Sequence, residues 1–128
     1  MNERGKAPSG TRPERSHNRS AGTAPSGPEP TMRDVLLAIR ADQLDPPPAA
    51  ALLGLRIIDV GPGTAVFALV PRTEHLNADG TVNGGLLAAL ADYALCGAVN
   101  DVPAASGVAT AALSITYQRP ATLAPESF

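Results

Sequence analysis

Large apolar side chains are missing from the first thirty positions apart from Met1, and they crowd most densely between Leu86 and Val99. In that crowded stretch the only charged residue is Asp92. A helix that is apolar on every face is ordinarily buried. The pattern predicts such a helix from Gly85 to about Val99, about 22 Å long at 1.5 Å per residue. Its small residues Ala88, Ala89, Ala91, Ala94, Gly97 and Ala98 would let a sheet pack close against it.

Upstream, Thr31-Met-Arg-Asp34 has the form of a helix start, with a hydroxyl followed three positions later by an acid. Val35, Leu36, Ile39 and Leu44 continue it as an apolar stripe, and Asp45-Pro-Pro-Pro48 ends it, because proline lacks the N–H and constrains the residue before it. Ala49 to Leu53 predicts one further turn closed by Gly54. Two short strand-like runs follow, Leu55–Val60 and Thr64–Val70, joined by Gly61-Pro-Gly63 as a hairpin. Pro71 to Asn83 reads as loop and Asn100–Gly107 as a turn. From Val108 to Arg119, Leu113, Ile115 and Tyr117 alternate with Ser114, Thr116 and Gln118, the period-two pattern of a half-buried strand. The fold class is therefore α+β, with an antiparallel sheet against one long helix. Three strands are too few to cover a wholly apolar helix, so the domain is expected to be incomplete after its third strand.

Composition divides the chain. Residues 1–30 hold five Pro, four Gly and four Ser and carry a net charge of +2. Such a segment buries too little to offset its ordering entropy and is expected to be a disordered tail. Three Glu and the lack of an amphipathic stripe argue against a transit peptide. Residues 31–128 form the domain, with a net charge of −4. No clustered basic face or aromatic platform suggests nucleic acid as a partner. The apolar helix is too short for a membrane span. The single Cys96 leaves no intramolecular disulfide and fits a reducing, cytoplasmic setting.

Three features carry candidate chemistry. Gly84-Gly85 opens the long helix, where backbone N–H groups are unpaired and can hold an oxyanion; a plain tight turn is the ordinary alternative. Asp92, a carboxylate amid apolar neighbours, is a candidate base or nucleophile, or else a structural acid bonded to a nearby loop. Asn77 is a polar loop residue seven positions before Gly84. Eight residues separate Gly84 from Asp92, about 12 Å along a helix, whereas groups acting on one carbonyl must lie about 3 Å from it. If both are catalytic, two chains combine to make each site, which points to a symmetric oligomer. No His/Cys/carboxylate cluster has metal-ligand spacing, so neither metal nor cofactor is expected.

The run His75-Leu-Asn77-x-x-Gly80-x-x-Asn83-Gly84-Gly85, followed by Asp92, resembles the signature of the PaaI-like acyl-CoA thioesterases of the hotdog fold. Leu113-Ser-Ile-Thr-Tyr-Gln-Arg-Pro120 resembles the strand that follows the central helix in that family. The resemblance runs from about Leu52 to Pro120. It implies a catalytic set of Gly84 as oxyanion donor, Asn77 as a positioner of thioester or water, Asp92 of the partner chain as base or nucleophile, and Thr110 as the hydroxyl that orients the water. Asn83 and Gly85 would line the substrate. It further implies a homodimer or homotetramer acting on acyl-CoA without a cofactor. Cys96, four residues after Asp92, is expected to be a small core residue.

Two departures from the family pattern change the expectation. Asn83 replaces the usual His and cannot take up a proton near neutral pH, which predicts weakened chemistry. The family's later strands are missing. The functional expectation is hydrolysis of an acyl-CoA to a free acid and CoA. The alternative is a non-catalytic or degenerate hotdog-like binding or assembly module.

Overall fold

The structure, a computed structural model, describes residues 27–123. The expected tail lies, up to residue 26, outside the described residues.

Helix α1 (Met32–Arg40) starts where the sequence predicts. The Asp34 carboxylate accepts from the Thr31 N–H and hydroxyl, both at 2.8 Å, and the Asp34 N–H returns to Thr31 Oγ at 3.3 Å. These bonds, the backbone one first, hold the Asp34 carboxyl below the usual carboxylate range. The helix is shorter than expected. It closes at Ala41, Asp42 takes φ +56°, and the N–H groups of Gln43 and Leu44 both turn back to Ala38 O. Leu44 therefore leaves the stripe and is exposed. Helix α2 (Pro48–Leu53) carries Pro48 at its first position and ends in Gly54 at φ +70°, a left-handed cap that glycine adopts without strain.

Strands β1 (Leu55–Gly61) and β2 (Thr64–Leu69) form the antiparallel hairpin, Leu55 opposite Leu69 and Gly61 opposite Thr64. Pro62 and Gly63 make the turn, with Gly63 at φ +64°. A register shift between Ile57 and Asp59 leaves Ile58 as the extra residue of a bulge. The bulge matters for burial. Strict alternation would place Leu55, Ile57 and Asp59 on one face, whereas the extra residue returns Val60 to the core side. Leu55 and Val60 are buried, while Ile58 and Asp59 are exposed.

Helix α3 (Gly84–Ala98) lies across the hairpin, with α1 against both. Gly97 is the point of closest approach. A Cβ there would stand 2.7 Å from Phe67 Cε2 and 3.2 Å from Ala65 Cβ. Phe67 also faces Tyr93 with ring centroids 6.3 Å apart. After the helix, Asn100 is wholly buried. Its Nδ2 donates to Gly61 O at 2.9 Å and Thr64 O at 3.0 Å. Its Oδ1 accepts from the Gly63 N–H and from Arg33 Nε, each at 3.3 Å. Its backbone carbonyl accepts from the Arg33 N–H at 2.9 Å. One amide thus joins the hairpin turn, the end of α3 and the start of α1.

Two expectations are corrected. Helix α3 is not buried all round: Leu86 and Gly97 are buried, but Leu95 and Val99 are 57% and 50% exposed. The hairpin and α1 cover one side of it only. Among the described residues Val108–Arg119 is not a strand, since it pairs with neither β1 nor β2. Strand-like alternation requires a backbone partner to become a ladder. Here the segment runs along α3 instead, touching it through Thr110 and Tyr117.

Replacing Asn100 with Ala should lower stability by about 1–3 kcal/mol, because it strands buried hairpin carbonyls; the midpoint of urea unfolding measures it. Gly97→Ala should cost a similar amount, about 1–3 kcal/mol, through overpacking against Phe67. Phe67→Leu in the same chain should recover part of that loss.

Candidate active site

The site loop is built by short-range hydrogen bonds. Asn77 N–H donates to Thr81 O at 2.7 Å and Gly80 N–H to Asn77 O at 3.0 Å, with Gly80 at φ +80° as the tight turn demands. Asp79 accepts from the Thr81 hydroxyl at 2.9 Å, and this bond with the Thr81 N–H keeps its carboxyl below the usual range. His75 is buried beneath the loop. Its Nδ1 accepts from the Arg72 N–H at 3.1 Å, and its carbonyl accepts from the Asn83 N–H at 2.9 Å. It buttresses the loop.

Asn83 is the N-cap of α3. Its Oδ1 accepts from the Gly85 N–H at 2.8 Å, and its Nδ2 donates to Asn77 Oδ1 at 2.8 Å. The amide has spent its strongest contacts inside the protein, and so has the Gly85 N–H. Among the described residues nothing accepts from the Gly84 N–H. Of the two glycines expected at the site, Gly84 alone therefore presents a free donor at the positive end of the helix. Beside it lies a shallow pocket of about 380 Å³, bounded in part by Gly84, Leu87, Tyr117 and Arg119.

Asp92 lies two turns further along α3, half-buried. The Thr110 hydroxyl donates to Asp92 Oδ1. Cys96 Sγ stands 3.1 Å from the same hydroxyl. The structure thus brings Asp92 and Thr110 together, as it brings Asn77, Asn83 and Gly85 together, and keeps the two groups apart along the helix. Among the described residues no three His, Cys, Asp or Glu side chains gather where a metal ion would be held. Between α1, the hairpin and α3 an apolar cavity of about 850 Å³ reaches Cys96, within the range of small-molecule sites.

Two contacts were not legible beforehand. Tyr117 OH donates to Gly84 O at 2.6 Å, and its ring lies where a Cβ on Gly84 would stand, 3.1 Å from Cζ. The alternation of Leu113, Ile115 and Tyr117 signals a shared face but not its target, and Leu113 and Tyr117 stay exposed on it. Cys96, read as core, is a partner of Thr110.

A family profile described as the thioesterase superfamily matches residues 79–125, the stretch that holds Asn83, Gly84, Asp92 and Thr110. The fold is similar to that of the E. coli PaaI protein from the phenylacetic acid degradation operon, with 25% identity and a TM-score of 0.56 over 72% of this chain and 65% of that one. The chain therefore resembles the PaaI-like members of the thioesterase superfamily. Its α+β arrangement is accordingly a hotdog fold, with the sheet as the bun and α3 as the filling. A second similar structure is the TT0310 protein from Thermus thermophilus, 40% identical, with a TM-score of 0.49 over 61% of this chain and 64% of that one. The hotdog chain spans less than two thirds of either protein. No curated protein matches it. Among the described residues no helix is long and apolar enough to cross a membrane.

The cap makes a direct prediction. Asn83→Ala should remove the bond to the Gly85 N–H and destabilise the domain by about 1 kcal/mol, and Asn83→Ser should restore most of it. Thermal unfolding of the three proteins compares them.

Proposed function

We propose that this hotdog protein hydrolyses the thioester of an acyl-CoA, using Asp92, Thr110 and the Gly84 N–H. The observation that carries the reading is the Thr110 hydroxyl on Asp92 in a helix whose first N–H is unspent. A carboxylate oriented by a hydroxyl can deprotonate a water, and a free helix-terminal N–H can take up the charge that develops on a thioester carbonyl oxygen.

In the water route, Asp92 accepts a proton as the water oxygen bonds to the thioester carbon. The carbonyl oxygen becomes an oxyanion on the Gly84 N–H. Collapse expels the CoA thiolate, which takes the proton back from Asp92. In the covalent route, the Asp92 carboxylate itself attacks, the thiolate leaves, and water hydrolyses the resulting anhydride. Both routes use the same groups. Because Gly84 and Asp92 stand about 12 Å apart on one helix, the oxyanion donor for one Asp92 comes from a second copy of the chain. The protein then works as a homodimer or a homotetramer, and Asn77 places the thioester by way of Asn83. The apolar cavity that reaches Cys96 suits an apolar acyl group.

A second reading has one observation in its favour. Asn83, in place of the family's usual His, is bonded internally at both ends of its amide. A chain with that substitution fits a binding or assembly module that does not turn over.

Asp92→Asn should lower hydrolysis of acyl-CoA substrates by about 10²- to 10⁴-fold, the range for loss of a general base, with an unchanged circular dichroism spectrum. A wild-type rate in that variant sinks the assignment. The shared site has its own test. Proline suits the first helical position, and Asn83 already holds φ −59°, ψ 128°, an extended conformation compatible with a following proline. Gly84→Pro with Tyr117→Ala removes the oxyanion N–H and makes room for the ring. Co-refolding this inactive variant with Asp92→Asn should regenerate activity, since a heterodimer then has one intact composite site. A site contained in one chain would stay inactive in every mixture.

A further inference from the structure

We propose that Cys96 is a positioning residue for the site: its thiol donates to Thr110 Oγ and commits the only proton of that hydroxyl to Asp92. The inference rests on the reading of Asp92 as the base, and it follows from counting protons. A threonine hydroxyl has one proton and two acceptor lone pairs, and an ionised carboxylate only accepts. The Thr110 hydroxyl donates to Asp92 Oδ1. Its proton is therefore not available to Cys96 Sγ, which lies 3.1 Å from the same oxygen. The contact is satisfied only by the S–H proton. The chain of donors runs from Cys96 to Thr110 to Asp92.

Helix geometry supplies the placement. Cys96 is four residues beyond Asp92 and shares its face, so one hydroxyl from the extended segment beyond α3 spans both side chains. The chemical consequence is orientation. With one Thr110 lone pair filled by the thiol, the second remains for a water proton. Asp92 Oδ1 is filled by Thr110, and no hydrogen bond among the described residues uses Oδ2, which is not buried and so is open to water. A water donating one proton to Thr110 Oγ and the other to Asp92 Oδ2 has its own lone pair turned outward, towards a carbonyl. Without Cys96 the hydroxyl keeps its bond to Asp92, but the lone pair that the thiol had filled opens to another water, and the place of the attacking water is no longer fixed by a single vacancy. A donor chain polarises each successive member, so the thiol also responds to changes at Asp92.

The protein has one cysteine, so its S–H stretching band in the infrared belongs to Cys96 alone. In the full chain that band should sit at the hydrogen-bonded position. Thr110→Val should move it to the free-thiol position, and Asp92→Asn should move it part of the way. A wild-type band already at the free-thiol position overturns the proposal without any turnover assay. In kinetics, Cys96→Ala should lower kcat roughly fivefold, the worth of one neutral hydrogen bond, with a smaller change in KM, since Cys96 also borders the apolar cavity. Cys96→Ser should restore it, and in a Thr110→Val background Cys96→Ala should have no further effect. Loss of activity in Asp92→Asn with a wild-type rate in Cys96→Ala overturns the role of Cys96 alone. Full activity in Asp92→Asn overturns the base assignment, and this inference with it.

Discussion

The buried amide of Asn100 is the constraint on which the arrangement depends. Helix α3 and the hairpin each have a defect that the other repairs. The hairpin turn at Pro62-Gly63 leaves the carbonyls of Gly61 and Thr64 facing the interior, where an unpaired acceptor is costly. The end of α3 delivers the Asn100 Nδ2 to both of them. The same residue receives Arg33 at its side chain and at its backbone, and so ties the first turn of α1 to the pair. An apolar residue there would fill space but satisfy none of these groups. The polar side chain therefore sets the register between helix and hairpin, which apolar packing alone leaves free to slide.

Small residues turn that register into close contact. Gly97, one turn before Asn100, meets Phe67 and Ala65 at a distance that leaves no room for a methyl group. At the other end of α3, Gly84 meets the Tyr117 ring in the same manner. The helix is thus clamped at both ends by aromatic rings over glycine. Between the clamps it presents its outer face, with Leu95 exposed. That face has the composition of a buried one and the environment of a surface.

The parts of this fold that are written locally were legible in the sequence. The Thr31/Asp34 box, the Gly54 cap, the Pro-Gly turn and the Gly-Gly helix start each depend on residues within a few positions of one another, and each lies where its spacing predicts. What depends on distant partners was not legible. Val108–Arg119 has the alternation of a strand, but a ladder also needs a neighbouring backbone, and here α3 is its neighbour. The Ile58 bulge cannot be read from an unbroken apolar run. Asn100 looked like a turn residue because its value lies in four groups up to 67 positions away. Of the candidate site, the residues themselves singled out Asn77, Gly84 and Asp92, and the family resemblance added Thr110, which the structure places against Asp92. Neither could show that Asn83 uses up the Gly85 N–H, nor that Cys96 and Tyr117 touch the same groups.

The electrostatics of α3 explain why its two polar points behave independently. The field of a helix terminus falls off within the first turn. Gly84 is inside that range, and Asp92, two turns on, is outside it. The Gly84 N–H draws its strength from the helix end, while Asp92 draws its orientation from Thr110 across the segment beyond α3. Asn83 adds no charge to the terminus, because its amide is neutral. The Gly84 N–H is therefore a backbone donor beside a cap that carries no charge. What varies with the sequence is the other pole, the carboxylate with its hydroxyl and thiol. The two poles stand about 12 Å apart along one helix, so a single chain does not bring them to a common point. The exposed apolar side of α3, with Leu95, is the face left over once the hairpin and α1 have covered the other.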